Sequence, residues 1–181
     1  MRGRGIKPSS ASVKGGKQTM EKNNLLDGKR ILVVDDEPDI LESLEELLAK
    51  CEVVKASNFE AARGLIEQEQ FDLVILDIMG VSGYDLLNLA TGKDMTAVML
   101  TAHALTPENI VKSYREGAAY FLPKEEMINI TSFLEEILEA KQKGRSTWDN
   151  WLDRLAVYCD RTFGAKWQDT DKDFWDRFPF Y

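Results

Sequence analysis

Five short apolar runs punctuate the sequence, and four of them end on residues that can take part in phosphoryl or metal chemistry. Asp35 and Asp36 follow the first run, Asp77 the third, Thr101 the fourth and Lys124 the fifth. A carboxylate can bind a cation or act as a nucleophile, whereas a hydroxyl or an ammonium group can neutralise charge on an oxygen. One such residue alone is more often a turn former or a helix cap, but five in this order indicate a functional site.

The three acidic residues favour a Mg²⁺ site. Carboxylates that share a shallow pocket repel one another strongly unless a cation lies between them. Mg²⁺ prefers hard oxygen ligands, keeps several waters and binds one or two carboxylates together with phosphate oxygens. We therefore expect Mg²⁺ at Asp35, Asp36 and Asp77, with Thr101 and Lys124 neutralising the oxygens of a phosphoryl group carried by Asp77.

An alternation of β-rich runs with segments of helical period must position these residues. The predicted strands cover residues 30–34, 52–56, 71–76, 96–100 and 119–122, and the predicted helices begin near residues 38, 59, 84, 107 and 126. Strands separated by helices favour parallel pairing through right-handed crossovers, so the expected fold class is α/β with a doubly wound five-stranded parallel sheet. In such sheets the functional crevice lies beyond the carboxyl ends of the strands.

Composition and charge exclude several classes of protein. The chain is 44% apolar and 30% charged, as globular proteins are, and its one histidine and two distant cysteines argue against a zinc site or a disulfide framework. Residues 31–144 carry nine basic and 22 acidic side chains, so this body would repel a phosphate backbone and no DNA binding is expected. No apolar run reaches membrane-spanning length and no secretory signal is present, so we expect a cytoplasmic protein without a membrane partner.

Residues 1–28 are expected to form a disordered basic leader. They are rich in Gly, Ser, Lys and Arg and hold few large apolar side chains that could offset the entropy of ordering. A solvated leader without a role is favoured over a segment that contacts nucleic acid or an acidic partner. Met20 is a second candidate for the natural start of the chain.

The segments around the five candidate residues carry a family resemblance. They read ILVVDDEPDI, FDLVILDIMG followed by SGYDLL, VMLTAH, and EGAAYFLPKEE. Over residues 29–142 the sequence resembles the receiver domain of two-component response regulators. This resemblance implies the flavodoxin-like strand order 2-1-3-4-5 and a Mg²⁺-dependent phosphorelay protein of bacterial type. Its phosphoryl donor would be a sensor histidine kinase or a phosphotransfer protein.

The resemblance also implies a role for each candidate residue. Asp35 and Asp36 match the Mg²⁺-binding acidic pair, and Asp77 matches the phosphoacceptor, which is a metal ligand as well. The backbone carbonyl of Met79 matches the position that completes the metal shell, and Lys124 matches the lysine of the family.

The remaining family positions concern the response to phosphorylation. Thr101 matches the switch hydroxyl, and either Phe121 or Tyr120 is the aromatic residue coupled to it; spacing back from Lys124 favours Phe121. His103 lies beside the expected phosphoryl site. It either modulates the lifetime of the acyl phosphate or is a solvated loop residue without a role.

Residues 143–181 form an aromatic-rich extension that contains all four tryptophans and is expected to be helical. Ser146 or Thr147 could cap a helix that begins at Trp148, carries an aromatic stripe and ends at Gly164. The extension is too short and too nearly neutral for a DNA-binding output domain. Two interpretations stay open, and both can hold. In one, the helix packs on its own receiver domain. In the other, its stripe contacts a partner or a second copy in a homodimer, gated by phosphorylation.

The favoured function is a stand-alone response regulator that is phosphorylated on Asp77 and signals to a downstream protein through protein contacts. It is expected to catalyse only its own phosphotransfer and dephosphorylation. The alternative is a phosphorylation-independent interaction module with a receiver fold, which the short loop IMGVSGY after Asp77 favours. A phosphohydrolase with an aspartyl nucleophile is disfavoured, because such enzymes usually carry a DxD pattern after strand one, whereas Asp35 and Asp36 are adjacent.

Overall fold

A five-stranded parallel sheet forms the centre of the protein. The computed structural model describes residues 24–102 and 105–178. The strands are β1 (Arg30–Val34), β2 (Glu52–Ala56), β3 (Leu73–Asp77), β4 (Thr96–Thr101) and β5 (Tyr120–Pro123). Their order in the sheet is β2-β1-β3-β4-β5, and each neighbouring pair is parallel, which confirms the predicted topology.

Helices connect the strands and flank the sheet, and their starts follow local sequence signals. Pro38 opens the first helix, and the side chains of Asn58 and Thr106 cap the second and fourth by accepting from the N–H groups of Ala61 and Asn109. The α-helices are α1 (Pro38–Leu47), α2 (Phe59–Gln68), α3 (Gly83–Thr91), α4 (Pro107–Arg115), α5 (Ile130–Gln142), α6 (Trp151–Phe163) and α7 (Lys172–Trp175), and 3₁₀ segments cover Lys124–Asn129 and Trp167–Asp171. None of these helices, within the described residues, is long and apolar enough to cross a membrane.

The central strands bring the acidic residues to one edge of the sheet. All five residues of β3 are buried, as expected for a strand that is covered on both faces. Val34 of β1 pairs with Leu76 of β3, so Asp35 and Asp77 are the next residues of two adjacent parallel strands. On the other side of β3, Asp77 pairs with Leu100 of β4.

Several boundaries differ from the sequence-based expectation, such as that of β3, which starts at Leu73 and not at residue 71. Leu26, which falls in the predicted leader, is only 2% exposed and belongs to the core, and Gly28 donates its N–H to the carbonyl of Lys50. The folded body therefore begins within the last residues of that leader; residues 1–23, including Met20, lie outside the described residues. The helix predicted from residue 126 is a 3₁₀ segment at first and becomes α-helical only at Ile130.

The extension folds back onto the α/β body and shares its core. Trp148 and Trp151 are at most 3% exposed and belong to the same buried cluster as the strands. The α-helix of the extension starts at Trp151 and not at Trp148. The preceding residues form turns, in which the N–H groups of Asp149 and Trp151 donate to the carbonyls of Ser146 and Trp148. The Ser146 hydroxyl accepts from the N–H of Trp148 within these turns. Gly164 ends α6 with a φ of 87°, as predicted.

Candidate functional site

Three carboxylates converge beyond the carboxyl ends of β1 and β3. One oxygen from each of Asp35, Asp36 and Asp77 lies within 4.8 Å of the others. Asp35 and Asp77 are buried, whereas Asp36 is exposed at the mouth of the cluster. The N–H of Glu37 donates to Asp35 Oδ1 at 3.0 Å and so fixes the orientation of that carboxylate.

Lys124 reaches into this cluster from the end of β5. Its Nζ lies 2.7 Å from Asp35 Oδ2, 2.8 Å from Glu37 Oε1 and 3.6 Å from Asp77 Oδ1, and its side chain is 8% exposed. The contact with Asp35 Oδ2 is aligned as an ion pair and not as a well-formed hydrogen bond. Lys124 thus contacts three carboxylates, and Asp36 adds a fourth to the site, which leaves the site acidic and suited to a divalent cation.

Burial perturbs the acid–base properties of the cluster. Burial raises the pKa of Asp77 to about 6; the nearby Lys124 ammonium opposes this rise, and the charges of Asp35 and Asp36 add to it. Burial also raises the pKa of Asp35, against the effect of Lys124. Burial alone would lower the pKa of Lys124, but the nearby carboxylates of Asp35 and Glu37 outweigh that effect and raise the pKa.

Two glycines shape the loop that follows Asp77. Gly80 has a φ of 70°, and a Cβ there would lie 2.5 Å from the carboxylate of Asp36. A Cβ on Gly83 would collide with the backbone carbonyl of Asp77, so the N-terminus of α3 can lie against the site only with glycine at this position. Between them Ser82 also adopts a left-handed conformation, with a φ of 53°.

The cluster opens into a small cavity of about 200 Å³, which a phosphoryl group and its cation could enter. The residues that line this cavity are Asp36, Glu37, Asp77, Met79, Gly80, Ala102 and Lys124.

Comparison with known proteins identifies the family to which this arrangement belongs. The family model of the response regulator receiver domain matches residues 31–136. The chain belongs to the response regulator receiver family.

Curated relatives match little more than half of this chain. The two-component response regulator ARR18 of Arabidopsis thaliana is 34% identical over 103 residues, which are 54% of this chain and 16% of the relative. ORR24 of Oryza sativa subsp. indica is 36% identical over 104 residues, again 54% of this chain and 16% of the relative. The chain therefore matches a small part of the length of these relatives. Because they are plant proteins, the expectation of a bacterial protein is not supported.

Solved receiver structures share the fold. The CheY-like receiver domain protein of Methanospirillum hungatei JF-1 superposes with a TM-score of 0.58 at 30% identity, over 65% of this chain and 98% of that one. A receiver domain protein of Clostridium thermocellum superposes with a TM-score of 0.55 at 29% identity, over 63% of this chain and 97% of that one.

The other predicted residues of the receiver domain lie at the same end of the sheet or on β5. Met79 is 54% exposed beside the cavity, and Thr101 is a buried residue that ends β4. Tyr120 and Phe121 are both buried on β5, and Tyr120 packs against aromatic residues of α5 and of the extension. His103 lies outside the described residues.

Sequence reasoning missed three residues that shape the receiver site. Glu37 pairs with Lys124, and its position directly after the acidic pair is the signal that could have indicated it. Gly80 lies in the loop after Asp77 and Gly83 at the start of α3, and two glycines three residues apart suggest positive φ or close backbone approach. Their need for glycine depends on distances to Asp36 and Asp77 that only the folded chain defines.

Proposed function

We propose that this receiver domain accepts a phosphoryl group on the carboxylate of Asp77 from the phosphohistidine of a histidine kinase or a phosphotransfer protein. The observation that carries the proposal is the convergence of Asp35, Asp36 and Asp77 within 4.8 Å, with the Lys124 ammonium 3.6 Å from Asp77. Such a set combines a nucleophile, a cation site and a charge neutraliser in one cavity.

Each residue has a distinct part in the proposed transfer. An Asp77 oxygen bonds to phosphorus as the bond between phosphorus and the imidazole nitrogen breaks, and the electron pair of that bond leaves with the imidazole. Since its pKa is about 6, Asp77 is mostly ionised, and therefore nucleophilic, at neutral pH and above. Lys124 neutralises one oxygen of the transferring group.

The carboxylates of Asp35, Asp36 and Asp77 fit Mg²⁺, since two of them are buried, all three offer hard oxygens, and one lysine does not balance their charge. Bound there, Mg²⁺ would supply electrostatic stabilisation of the phosphoryl oxygens. The Asp35 carboxylate is pre-oriented for this role by the Glu37 N–H.

Thr101 is proposed as the hydroxyl that responds to the phosphoryl group. It is buried, ends β4 and pairs with Pro123, the residue before Lys124. The two strand ends can therefore shift together when both side chains engage the same phosphoryl group. Phosphorylation shifts an equilibrium that exists without it, and the response passes to a downstream protein through protein contacts.

Mass spectrometry of the intact protein tests the proposal. The protein is incubated with acetyl phosphate in Mg²⁺ or in a chelator, and Asp77→Asn is compared with Asp85→Asn, which alters an exposed aspartate of the nearby α3. We expect one phosphoryl group to be added only with Mg²⁺, in the wild type and in Asp85→Asn but not in Asp77→Asn. An adduct that persists in Asp77→Asn would contradict the assignment.

A second candidate function is a receiver fold that acts by contacts without phosphorylation. The closer approach of Lys124 to Asp35 than to Asp77 favours it, because the lysine is then engaged before any phosphoryl group arrives. Failure of acetyl phosphate and of a panel of phosphorylated histidine kinases to modify the protein would support this alternative.

A further inference from the structure

The extension covers the edge of the sheet formed by β5. The indole N–H of Trp148 donates to the carbonyl of Ala118, and that of Trp151 donates to the carbonyl of Phe121, each at 2.8 Å. β5 is the last strand of the described sheet, so its outward main-chain groups have no strand neighbour. Two tryptophans of the extension therefore bind the backbone of the receiver domain directly.

Aromatic side chains extend this contact to α4. Tyr114 of α4 meets three rings of the extension edge-on, and Tyr120 of β5 stacks on one of them. The ring centroid of Tyr114 lies 5.3 Å from that of Trp148, 5.2 Å from that of Phe174 and 5.4 Å from that of Phe178. The ring centroids of Tyr120 and Trp148 are 5.9 Å apart.

Polar pairs at the rim complete the contact with α4 and α5. Arg115 of α4 pairs with Asp171 at 2.9 Å, and Arg154 of α6 pairs with Glu136 of α5 at 2.6 Å. We call the covered area, which comprises Tyr114, Tyr120, Glu136 and the main chain of β5, the α4–β5–α5 surface. Its rim pairs are partly exposed and add little to the strength of the contact.

The packing of the extension leaves two buried polar atoms unsatisfied. The hydroxyl of Tyr120 and the Nε1 of Trp175 are buried and have no hydrogen-bond partner among the described residues. In water both groups would be solvated, so their burial weakens the docked arrangement relative to an undocked one. The contact is thus extensive but imperfect, as suits a contact that opens.

A short path through β5 joins this surface to the phosphorylation site. The carbonyl of Phe121, to which Trp151 is bound, lies three residues before Lys124 in the chain. Pro123, between them, pairs with Thr101. A shift of the ends of β4 and β5 toward a phosphoryl group on Asp77 would therefore displace the carbonyl on which Trp151 depends.

We propose that the extension is a reversible cover of the α4–β5–α5 surface, docked when Asp77 is unmodified and released when Asp77 is phosphorylated. This inference rests on the proposed function of Asp77. Release exposes two tyrosines and the main chain of an edge strand, which is a surface suited to a protein partner.

Cys159 of α6 is a native probe of the docked state. Cys159 lies about two turns after Trp151 on the same buried face of α6, and its side chain is 1% exposed. Burial raises the pKa of its thiol to about 12, so we expect a thiol reagent to modify it only after undocking. In a Cys51→Ser background, which removes the other cysteine, the rate of modification by a chromogenic disulfide is measured with and without acetyl phosphate and Mg²⁺. We expect phosphorylation to accelerate the reaction about fivefold or more, and Asp77→Asn to show no acceleration.

The extent of phosphorylation is measured on the same samples by mass spectrometry. If the protein is fully phosphorylated but Cys159 is modified at an unchanged or slower rate, the proposal of a reversible cover is wrong and the proposed phosphorylation of Asp77 still holds. Absence of any phosphoryl adduct would overturn both, so the two failures are distinguishable.

Two Trp→Phe variants test the coupling from the opposite direction. Trp151→Phe removes a hydrogen bond to β5, whereas Trp167→Phe removes a bond to Asp160 that lies wholly inside the extension. By reciprocity, Trp151→Phe should tighten binding of beryllium trifluoride, a phosphoryl mimic, by up to about fivefold, and Trp167→Phe should not. Equal affinities in the wild type and Trp151→Phe would contradict the coupling.

Discussion

Replacement of Asp77 by asparagine is expected to stabilise the metal-free protein at neutral pH. The pKa of Asp77 is raised from 3.8 to about 6 in the folded state, mainly by burial. The folded state therefore binds this proton more tightly than the unfolded state does. The stability that results is present in full below pH 3.8 and is lost as the pH rises through 6. Asparagine cannot ionise and avoids this loss.

The size of the effect follows from the difference between the two pKa values. Two pH units correspond to roughly 3 kcal/mol, so Asp77→Asn should raise the free energy of unfolding by about 1–3 kcal/mol at pH 7.5. The gain should fall below about 1 kcal/mol near pH 4, where the unfolded carboxyl is also largely protonated. Saturating Mg²⁺ should reduce the difference in the free energy of unfolding between Asp77→Asn and the wild type at pH 7.5. The reason is that Mg²⁺ stabilises the wild type and binds the variant less well.

Urea denaturation, followed by tryptophan fluorescence in a chelating buffer, measures this difference at pH 7.5 and pH 4. Asp85→Asn serves as the matched control, since Asp85 is exposed and its replacement should change stability by less than about 0.5 kcal/mol. If Asp77→Asn is no more stable than the wild type at pH 7.5, then burial of the ionised Asp77 carboxylate does not destabilise the metal-free protein, and the reasoning is refuted.

Two further substitutions test the loop and the lysine. Gly80→Ala places a Cβ 2.5 Å from the Asp36 carboxylate, at a φ of 70° that disfavours alanine. Calorimetry should therefore show that the affinity for Mg²⁺ falls about tenfold or more and that the free energy of unfolding falls by about 1–3 kcal/mol. Gly64→Ala, in a helix with nothing within 4 Å, should instead leave affinity unchanged and add about 0.5–1 kcal/mol; equal effects of the two changes would contradict the role of Gly80. Lys124→Gln should slow phosphorylation by acetyl phosphate on the order of a hundredfold. It should also raise the pKa of Asp77 further, because the positive charge that favours the ionised carboxylate is lost. An unchanged rate of phosphorylation together with an unchanged pKa of Asp77 would exclude Lys124 from the site.

The site residues at the strand ends could be predicted because a parallel sheet brings residues that follow successive strands close together in space. Each buried run ends at a polar residue, and parallel strands bring their carboxyl ends to one edge. The position of Glu37 directly after the acidic pair is only a weak signal, because an exposed acid next to Pro38 is also typical of a helix start. The 3₁₀ segment Lys124–Asn129 was missed because its composition is compatible with an α-helix.

The location of the extension could not be derived from its sequence. An aromatic stripe at helical spacing predicts that a surface is buried but not which surface covers it. The location depends on the hydrogen bonds from Trp148 and Trp151 to the carbonyls of Ala118 and Phe121. These partners lie 30 residues apart in the chain, so no local sequence pattern indicates that they meet. The homodimer that the sequence left open stays a prediction.

Chemical mapping of the phosphorylated residue tests the central claim most directly. Borohydride reduces an aspartyl phosphate to homoserine, so protein treated with acetyl phosphate and Mg²⁺ is reduced, digested and sequenced by mass spectrometry. We predict homoserine at position 77 and only in samples that contained Mg²⁺. Homoserine at Asp35, Asp36 or any other aspartate, or its absence throughout in protein that remains folded, would contradict the account.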